Sequence, residues 1–176
     1  PIVCCIDNSG SMSGDREIYS KAIALGLLAI AKKEKRDFAV IHFGSSSDPI
    51  QTYMFLKTDS QKETLERMIE MASYFRGGGT DFELPITEAM NIIDKSGKFN
   101  KASIVFITDG ECDVSDEWFK SYTARKKELD TNLYSIAIET SSIHTLERIS
   151  DAVIMAEDIL NDKKAMEYAG EVFGMI

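Results

Sequence analysis

Three oxygen-bearing side chains follow the first apolar run of the chain at alternating positions. The run 2–6 is followed by Asp7, Ser9 and Ser11. One carboxylate and two hydroxyls offer only oxygen donors of low total charge, which suit Mg²⁺ or Mn²⁺ better than Zn²⁺ or copper. The same string could instead form an Asx turn that caps the following helix. Taken alone, the segment leaves a metal site and a simple turn both open.

Two later segments carry further oxygen donors at similar places. Thr80 follows the glycines at 77–79, and Asp109 ends the apolar run 102–108. Ligands of open parallel sheets bind at the carboxyl ends of strands, where the strand order reverses. If the strands before Asp7 and Asp109 are neighbours there, their carboxylates meet, and the glycine loop reaches the same edge. The combination favours a metal site over a turn, with the ligands Asp7, Ser9, Ser11, Thr80 and Asp109.

Residues beside these positions are expected to have other roles. Glu111 and Asp113 are interpreted as solvated loop acids, with Glu111 as a less favoured ligand through water. Asp81 is expected to cap the helix that starts near Phe82. His42 lies in a predicted buried strand without cysteine or histidine companions, so we interpret it as structural. The glycine cluster lacks the lysine of a phosphate-binding P-loop, and no nucleotide site is predicted.

The overall composition restricts the partners. The chain of 176 residues has 29 acidic and 20 basic side chains and a formal charge of -9. Binding to nucleic acid or to anionic lipid needs a cationic face, so a protein partner with a basic or neutral surface fits better. No apolar stretch approaches the roughly 20 residues that span a bilayer. Three cysteines without disulfide or zinc spacing favour a reducing compartment, and we expect a cytoplasmic protein without membrane insertion.

Short apolar runs alternate with helical patterns, which is typical of βαβ units. Strands are predicted at 2–6, 38–43, 50–56, 102–108, 133–138 and 152–155. Helices are predicted around 18–31, 65–72, 84–93, 118–129, 143–149 and 162–173. The link 44–49 is too short for a parallel crossover, so the third strand is expected as an antiparallel edge. The prediction is one doubly wound, Rossmann-like α/β domain, an open and mostly parallel sheet with helices on both faces.

The second predicted helix has an apolar stripe at helical spacing. Asp59 or Ser60 is expected to open this helix, and the glycines at 77–79 stop it. The members of the stripe are Leu65, Met68, Ile69 and Ala72.

The five oxygen-bearing positions resemble the von Willebrand factor A family and its metal-ion-dependent adhesion site. The family motif Asp-x-Ser-x-Ser matches Asp7, Ser9 and Ser11, its threonine matches Thr80, and its strand-ending aspartate matches Asp109. The order of elements extends the resemblance over nearly the whole chain. It implies an octahedral Mg²⁺, with Mn²⁺ or Ca²⁺ as alternatives. Ser9 and Ser11 would bind the ion directly, Thr80 directly or through water, and Asp7 and Asp109 mostly through water.

A second similarity narrows the family. The run 75–81, Phe-Arg-Gly-Gly-Gly-Thr-Asp, is similar to a branch of bacterial proteins that includes the CoxE-like group and the ViaA type. Those proteins carry this domain at the C-terminal end and resemble partners of MoxR-type AAA+ ATPases. The chain opens at Pro1 directly on a predicted strand, without an initiator Met. We therefore interpret 1–176 as a single domain excised from the C-terminal part of a longer protein.

The resemblance implies a binding module and not an enzyme. Its metal would capture a Glu or Asp of a protein partner, in an assembly with a MoxR-type AAA+ ATPase. Hydroxyl ligands bring almost no charge, so one coordination position stays available to an incoming acid. An alternative is a Mg²⁺-dependent phosphohydrolase with Asp7 as nucleophile, although such enzymes usually place a second Asp where this chain has Ser9. A third possibility is a structural domain whose site is vestigial.

Overall fold

The computed structural model describes residues 1–110, 112–157 and 162–176. Within these ranges the strands are β1 (Ile2–Asp7), β2 (Phe38–Phe43), β3 (Gln51–Phe55), β4 (Ser103–Thr108), β5 (Leu133–Ile138) and β6 (Ala152–Ala156). The helices are α1 (Asp15–Lys33), α2 (Gln61–Ser73), α3 (Glu83–Lys95), α4 (Asp116–Glu128), α5 (His144–Ile149) and α6 (Asp162–Met175), with a 3-10 helix at Gly10–Met12. None of the helices in these ranges has both the length and the apolar character needed to cross a bilayer.

The six strands form one sheet in the order β3-β2-β1-β4-β5-β6. β1 is parallel to both β2 and β4, and the antiparallel strand is β3, paired with β2 at the edge. This arrangement confirms the predicted doubly wound sheet with one antiparallel edge. The chain winds outward from β1 on one side and from β4 on the other, so the strand order reverses between these two strands.

The strands in the middle of the sheet are buried along their whole length. Every residue of β1, β2, β4 and β5 is buried. Such strands read as continuous apolar runs because helices cover both faces. One core contains residues of α1 and α6 together with Cys4, and the opposite core contains residues of α3, α4 and α5 together with Cys5. Neighbouring residues of β1 therefore point into different cores, as the pleat requires.

The two helices of the first core approach each other closely at a glycine. A Cβ atom built on Gly26 of α1 would lie 2.8 Å from Sδ of Met166 and 3.1 Å from Cβ of Ala169, both in α6. Separations this short would force the side chain of Met166 to move and Ala169 to give way slightly. The lack of a side chain at Gly26 therefore allows α6 to pack closely against α1.

α2 begins as predicted, and only part of its apolar stripe is covered by the sheet. Ser60 caps it with a capping box formed with Glu63. Leu65 and Ile69 are 54% and 58% exposed, whereas Met71 is fully buried. The predicted helix is present, but Leu65 and Ile69 of its apolar stripe lie on the solvent side. α2 packs at the margin of the sheet beside the edge strand β3, where only a narrow stripe of the helix can be covered.

Candidate metal centre

Asp7 lies at the carboxyl end of β1 and is buried. Its Oδ1 accepts a hydrogen bond from the backbone N–H of Ser9 at 2.7 Å, which is an Asx turn. Its Oδ2 accepts one from Oγ1 of Thr108 at 2.6 Å. Because Thr108 is the last residue of β4, this bond ties together the two strand ends at the reversal of the strand order. The residues of the Asx turn are therefore also residues of the predicted metal site, so the two interpretations do not exclude each other.

The two hydroxyls of the first loop lie beside the acid of the β4 loop. Oγ of Ser9 and Oγ of Ser11 are 3.1 Å apart. Oγ of Ser11 donates to Oδ1 of Asp109 at 2.9 Å, although the two residues are 98 positions apart in the chain. Asp109 and Ser9 are buried, while Ser11 is exposed. The result is a row of oxygens that runs from the end of the sheet to the surface.

The glycine loop with Thr80 reaches the same edge. The backbone N–H of Gly10 donates to the carbonyl of Gly78 at 2.9 Å, and Sγ of Cys112 donates to the carbonyl of Thr80 at 3.4 Å. Gly78 has φ +115, a left-handed conformation that favours glycine. These contacts place Thr80, which is half-buried, between the first loop and the loop after β4.

The neighbouring acids have the roles that the sequence suggested, where the structure describes them. Oδ1 of Asp81 accepts from the N–H of Leu84 at 2.8 Å, so Asp81 caps the start of α3. Asp113 is exposed. Glu111, the less favoured ligand, lies outside the described residues.

The spacing of the oxygens fits a small octahedral cation. Mg²⁺ binds oxygen at about 2.0–2.1 Å, so adjacent ligands of an octahedron lie about 2.9 Å apart. The pairs Ser9–Ser11 and Ser11–Asp109 are hydrogen-bonded at 3.1 and 2.9 Å, a separation that also allows neighbouring oxygens to bind one such ion. Within the described ranges, no group of three or more His, Cys, Asp or Glu side chains could hold a metal. The set of hydroxyls and carboxylates at this edge offers only oxygen donors, the kind that a hard divalent ion prefers.

The electrostatics of Asp7 point the same way. Burial raises the pKa of this carboxyl, and the negative charge of Asp109 adds to the rise. Hydrogen bonds from Thr108 and Ser9 oppose it. A buried carboxylate whose charge is disfavoured would be stabilised by a nearby cation.

An arginine and a glutamate at this edge were missed by the sequence reasoning. Nη1 of Arg16, in the first turn of α1, lies 2.6 Å from Oδ2 of Asp109. Nε of Arg16 donates to Oε2 of Glu139 at 3.1 Å. Glu139 directly follows β5, the strand next to β4, so the rule of strand ends could have included it. Nothing in the local sequence marks Arg16.

Asn8 holds the first loop from the other side. Its Nδ2 is 2.5 Å from Nδ1 of His42, whose Nε2 is 3.1 Å from the carbonyl of Met71. Burial, helped by the charge of Lys21, lowers the pKa of His42 to about 3. The ring is therefore neutral, with Nε2–H donating and Nδ1 accepting. His42 is buried and structural, as predicted, and the backbone N–H of Asn8 also donates to the carbonyl of Phe43 at 2.7 Å.

Comparison with known sequences finds relatives that are longer than this chain. Two uncharacterised proteins of Methanocaldococcus jannaschii are 39% and 37% identical over 168 and 174 residues, which is 96% and 99% of this chain. The chain spans 37% and 41% of their lengths. The regulatory protein ViaA of Proteus mirabilis is 28% identical over 109 residues, 62% of this chain and 21% of that protein.

Solved structures share the fold at low identity. A von Willebrand factor type A structure from Catenulispora acidiphila matches with a TM-score of 0.72 and 18% identity, over 97% of this chain and 41% of that one. Proximal thread matrix protein 1 from the mussel byssus, whose adhesion-site motif is occupied by zinc, matches with a TM-score of 0.68 and 16% identity, over 96% and 46% of the two chains.

The family model of the von Willebrand factor type A domain matches residues 2–111, which cover the first loop, the glycine loop and the end of β4. Together with the relatives of more than 35% identity over nearly the whole chain, this match shows the family. The sheet order and the strand reversal between β1 and β4 agree with it. The chain belongs to the von Willebrand factor type A domain family.

Proposed function

We propose that this domain is a metal-dependent protein-binding module. A divalent cation, Mg²⁺ in first place, would be held directly by Ser9 and Ser11, with Thr80, Asp7 and Asp109 binding directly or through water. The observation that carries the proposal is the row of oxygens from Ser9 through Ser11 to Asp109, close enough together to bind one ion. Domains of this family commonly mediate metal-dependent interactions between proteins, which supports it.

The charges of the site favour an acidic residue of a partner as the last ligand. Hydroxyls bring no charge to the cation, and the carboxylate of Asp109 also pairs with Arg16. The cation would therefore keep part of its positive charge and an open coordination position. A Glu or Asp side chain fills such a position with a charge-assisted, directional bond. Recognition of the partner would then depend on the cation.

The partner surface around that acid should be neutral or basic, because this chain has a net charge of -9. The related protein of Proteus mirabilis is named a regulatory protein, which agrees with a role in an assembly. The resemblance of the glycine loop to the ViaA type suggests a MoxR-type AAA+ ATPase as the partner. We propose this class of ATPase as the first candidate to test.

Binding to a purified MoxR-type ATPase, with and without a chelator, tests this function. The full-length protein should retain the ATPase in Mg²⁺, lose it in EDTA and regain it when Mg²⁺ is restored. Ser9→Ala should abolish retention. Ser46→Ala removes a hydroxyl from an exposed turn and should bind like the wild type. Retention that is unchanged in EDTA would exclude a metal bridge, and calorimetry without heat at millimolar Mg²⁺ and Mn²⁺ would exclude the metal site itself.

The alternative function, a phosphohydrolase with Asp7 as nucleophile, has less support. Both oxygens of Asp7 accept hydrogen bonds from neighbouring protein groups, and Ser9 occupies the position of the usual second acid. Domains of this family and ViaA-like regulatory proteins are generally interaction modules without catalytic activity. Turnover of a generic phosphoester that disappears in Asp7→Asn would favour the enzyme.

A further inference from the structure

Arg16 places a permanent positive charge against one of the proposed metal ligands. Its Nη1 lies 2.6 Å from Oδ2 of Asp109, whose side chain is 1% exposed, while the side chain of Arg16 is 33% exposed. The other oxygen of the same carboxylate accepts from Ser11 at 2.9 Å. Asp109 is therefore shared between the hydroxyl row and a guanidinium.

Arg16 and its partner Glu139 each occupy a locally unfavourable position, which their ion pairs help to offset. Arg16 lies in the first turn of α1, where the helix dipole disfavours a cation. The acid that holds its Nε, Glu139, has φ +46, a left-handed conformation that non-glycine residues rarely adopt. Local costs that persist in a fold mark functional or strained sites. Arg16, held by Glu139, therefore places a positive charge beside Asp109 at the start of a helix, where positive charges are disfavoured.

We propose that Arg16 is an affinity-setting residue of the metal site, which opposes the cation at Asp109, and that Glu139 moderates this effect by pairing with Arg16. The inference rests on the proposed metal-dependent function. A guanidinium that shares a carboxylate with a divalent cation repels that cation through a partly buried region, where charges are screened less than in water. The site therefore binds its cation more weakly than its oxygen donors alone would allow.

The two charges predict opposite effects of two neutral substitutions. Arg16→Gln removes the opposing charge and should tighten Mn²⁺ binding about three- to tenfold. Glu139→Gln removes the charge that moderates Arg16 and should weaken Mn²⁺ binding about two- to fivefold. Arg16→Lys keeps the charge but loses the planar fork that reaches both Asp109 and Glu139, so its Mn²⁺ affinity should lie between those of the wild type and Arg16→Gln.

Calorimetric titration of the full-length protein with Mn²⁺ measures these affinities, and thermal unfolding in EDTA gives an independent readout. Arg16→Gln should melt lower than the wild type in EDTA, since Asp109 loses its ion pair, and should gain more from Mn²⁺. Arg125→Gln is the matched control. The side chain of Arg125, in α4, is 30% exposed and pairs with Asp94 of α3, so this substitution removes the same charge away from the site and should leave Mn²⁺ binding unchanged.

The outcomes distinguish an electrostatic effect of Arg16 and Glu139 on Mn²⁺ binding from a purely structural role of their ion pair. Opposite shifts in Mn²⁺ affinity for Arg16→Gln and Glu139→Gln support the proposal. Weaker or unchanged binding in Arg16→Gln, or weaker binding in both variants, overturns it and identifies the pair as a structural ion pair. Failure of the wild type to bind Mn²⁺ overturns both this inference and the proposed function, whereas a wild type that binds with unaffected variants overturns this inference alone.

Discussion

At the scale of single residues, Asp7 is an acid in a place that disfavours its charge. Burial raises its pKa, and the hydrogen bonds from Thr108 and Ser9 only partly oppose that shift. A carboxyl whose folded pKa lies above its unfolded value stabilises the fold when protonated, and this contribution is lost as the pH rises through the folded pKa. The ionised form of Asp7 is therefore a cost to stability, which a bound cation would offset.

Replacing Asp7 with Asn should separate stability from metal binding. The amide oxygen can still accept from the N–H of Ser9, while the disfavoured charge is gone. In EDTA at pH 7, Asp7→Asn should unfold at an equal or higher urea concentration, with a gain of up to about 1 kcal/mol. Mg²⁺ should no longer stabilise it. Asp113→Asn, at an exposed position, should match the wild type in both conditions. A clear loss of stability in EDTA would mean that the charge of Asp7 supports the fold.

His42 should make the stability of the domain depend on pH. Its pKa in the folded state is lowered to about 3, mainly by burial, so the unfolded chain binds an extra proton between about pH 6.5 and 3. The contribution of His42 therefore falls as the pH drops through this range, by at most about 1.4 kcal/mol per pH unit.

Urea unfolding at several pH values checks this dependence. His42→Gln can keep a donor toward the carbonyl of Met71 but cannot take up the proton, so its stability should fall less steeply between pH 6.5 and 4. His144→Gln, at an exposed position, should retain the slope of the wild type. Identical slopes in the wild type and His42→Gln would show that His42 does not control the acid response.

At the scale of elements, the site depends on the order of the strands. β1 pairs with β4, and this pairing brings the end of β4 to the loop after β1. The glycine loop before α3 joins them through the bond between Gly10 and Gly78. On the face of the sheet that α1 and α6 cover, the close contact at Gly26 fixes the position of α1, which begins beside the site.

Two glycines in helices should respond oppositely to alanine. Alanine is a better helix former than glycine by about 1 kcal/mol. Gly170→Ala in α6, where an added Cβ meets nothing within 4 Å, should stabilise the domain by about 0.5–1 kcal/mol. Gly26→Ala should instead destabilise it by about 1 kcal/mol, because the new Cβ would press against Met166 and Ala169. Thermal unfolding of both variants measures the difference. Equal gains would show that α6 moves away without cost.

At the scale of the whole molecule, the sheet and its two helical layers position the candidate metal site. The strands that carry the site are buried throughout, and both faces of the sheet have their own core. The proposed ligands are hydroxyls and carboxylates, and Asp109 is also paired with Arg16. Strands packed in this way can hold the oxygen donors close together before any metal binds, so the domain would not depend on the metal for folding.

Divalent cations should stabilise the whole domain by mass action. A cation that binds only the folded state adds about 2.7 kcal/mol at a hundredfold excess over its Kd. The melting temperature should therefore rise steadily with Mg²⁺ or Mn²⁺ beyond saturation of the site, and chelation should reverse the rise. Sodium chloride at matched ionic strength controls for general screening. A melting temperature that is independent of divalent ions would argue for the vestigial structural domain.

Most of the fold could be predicted from the sequence, because local patterns encode it. Continuous apolar runs mark strands covered on both sides, and the short link before β3 required an antiparallel edge. The face of α2 could not be predicted in this way. Leu65 and Ile69 have helical spacing, but the margin of the sheet offers them no surface to cover.

The sequence by itself determined that Asp7, Ser9 and Ser11 share one loop, since their spacing is local and follows a strand end. Only the tertiary structure decided what faces them. The hydrogen bond from Ser11 to Asp109 spans 98 positions, and the bond from Arg16 to Glu139 spans 123. Contacts at such separations depend on which strands become neighbours, and that order is set by packing of the entire sheet against its helices and not by any local pattern.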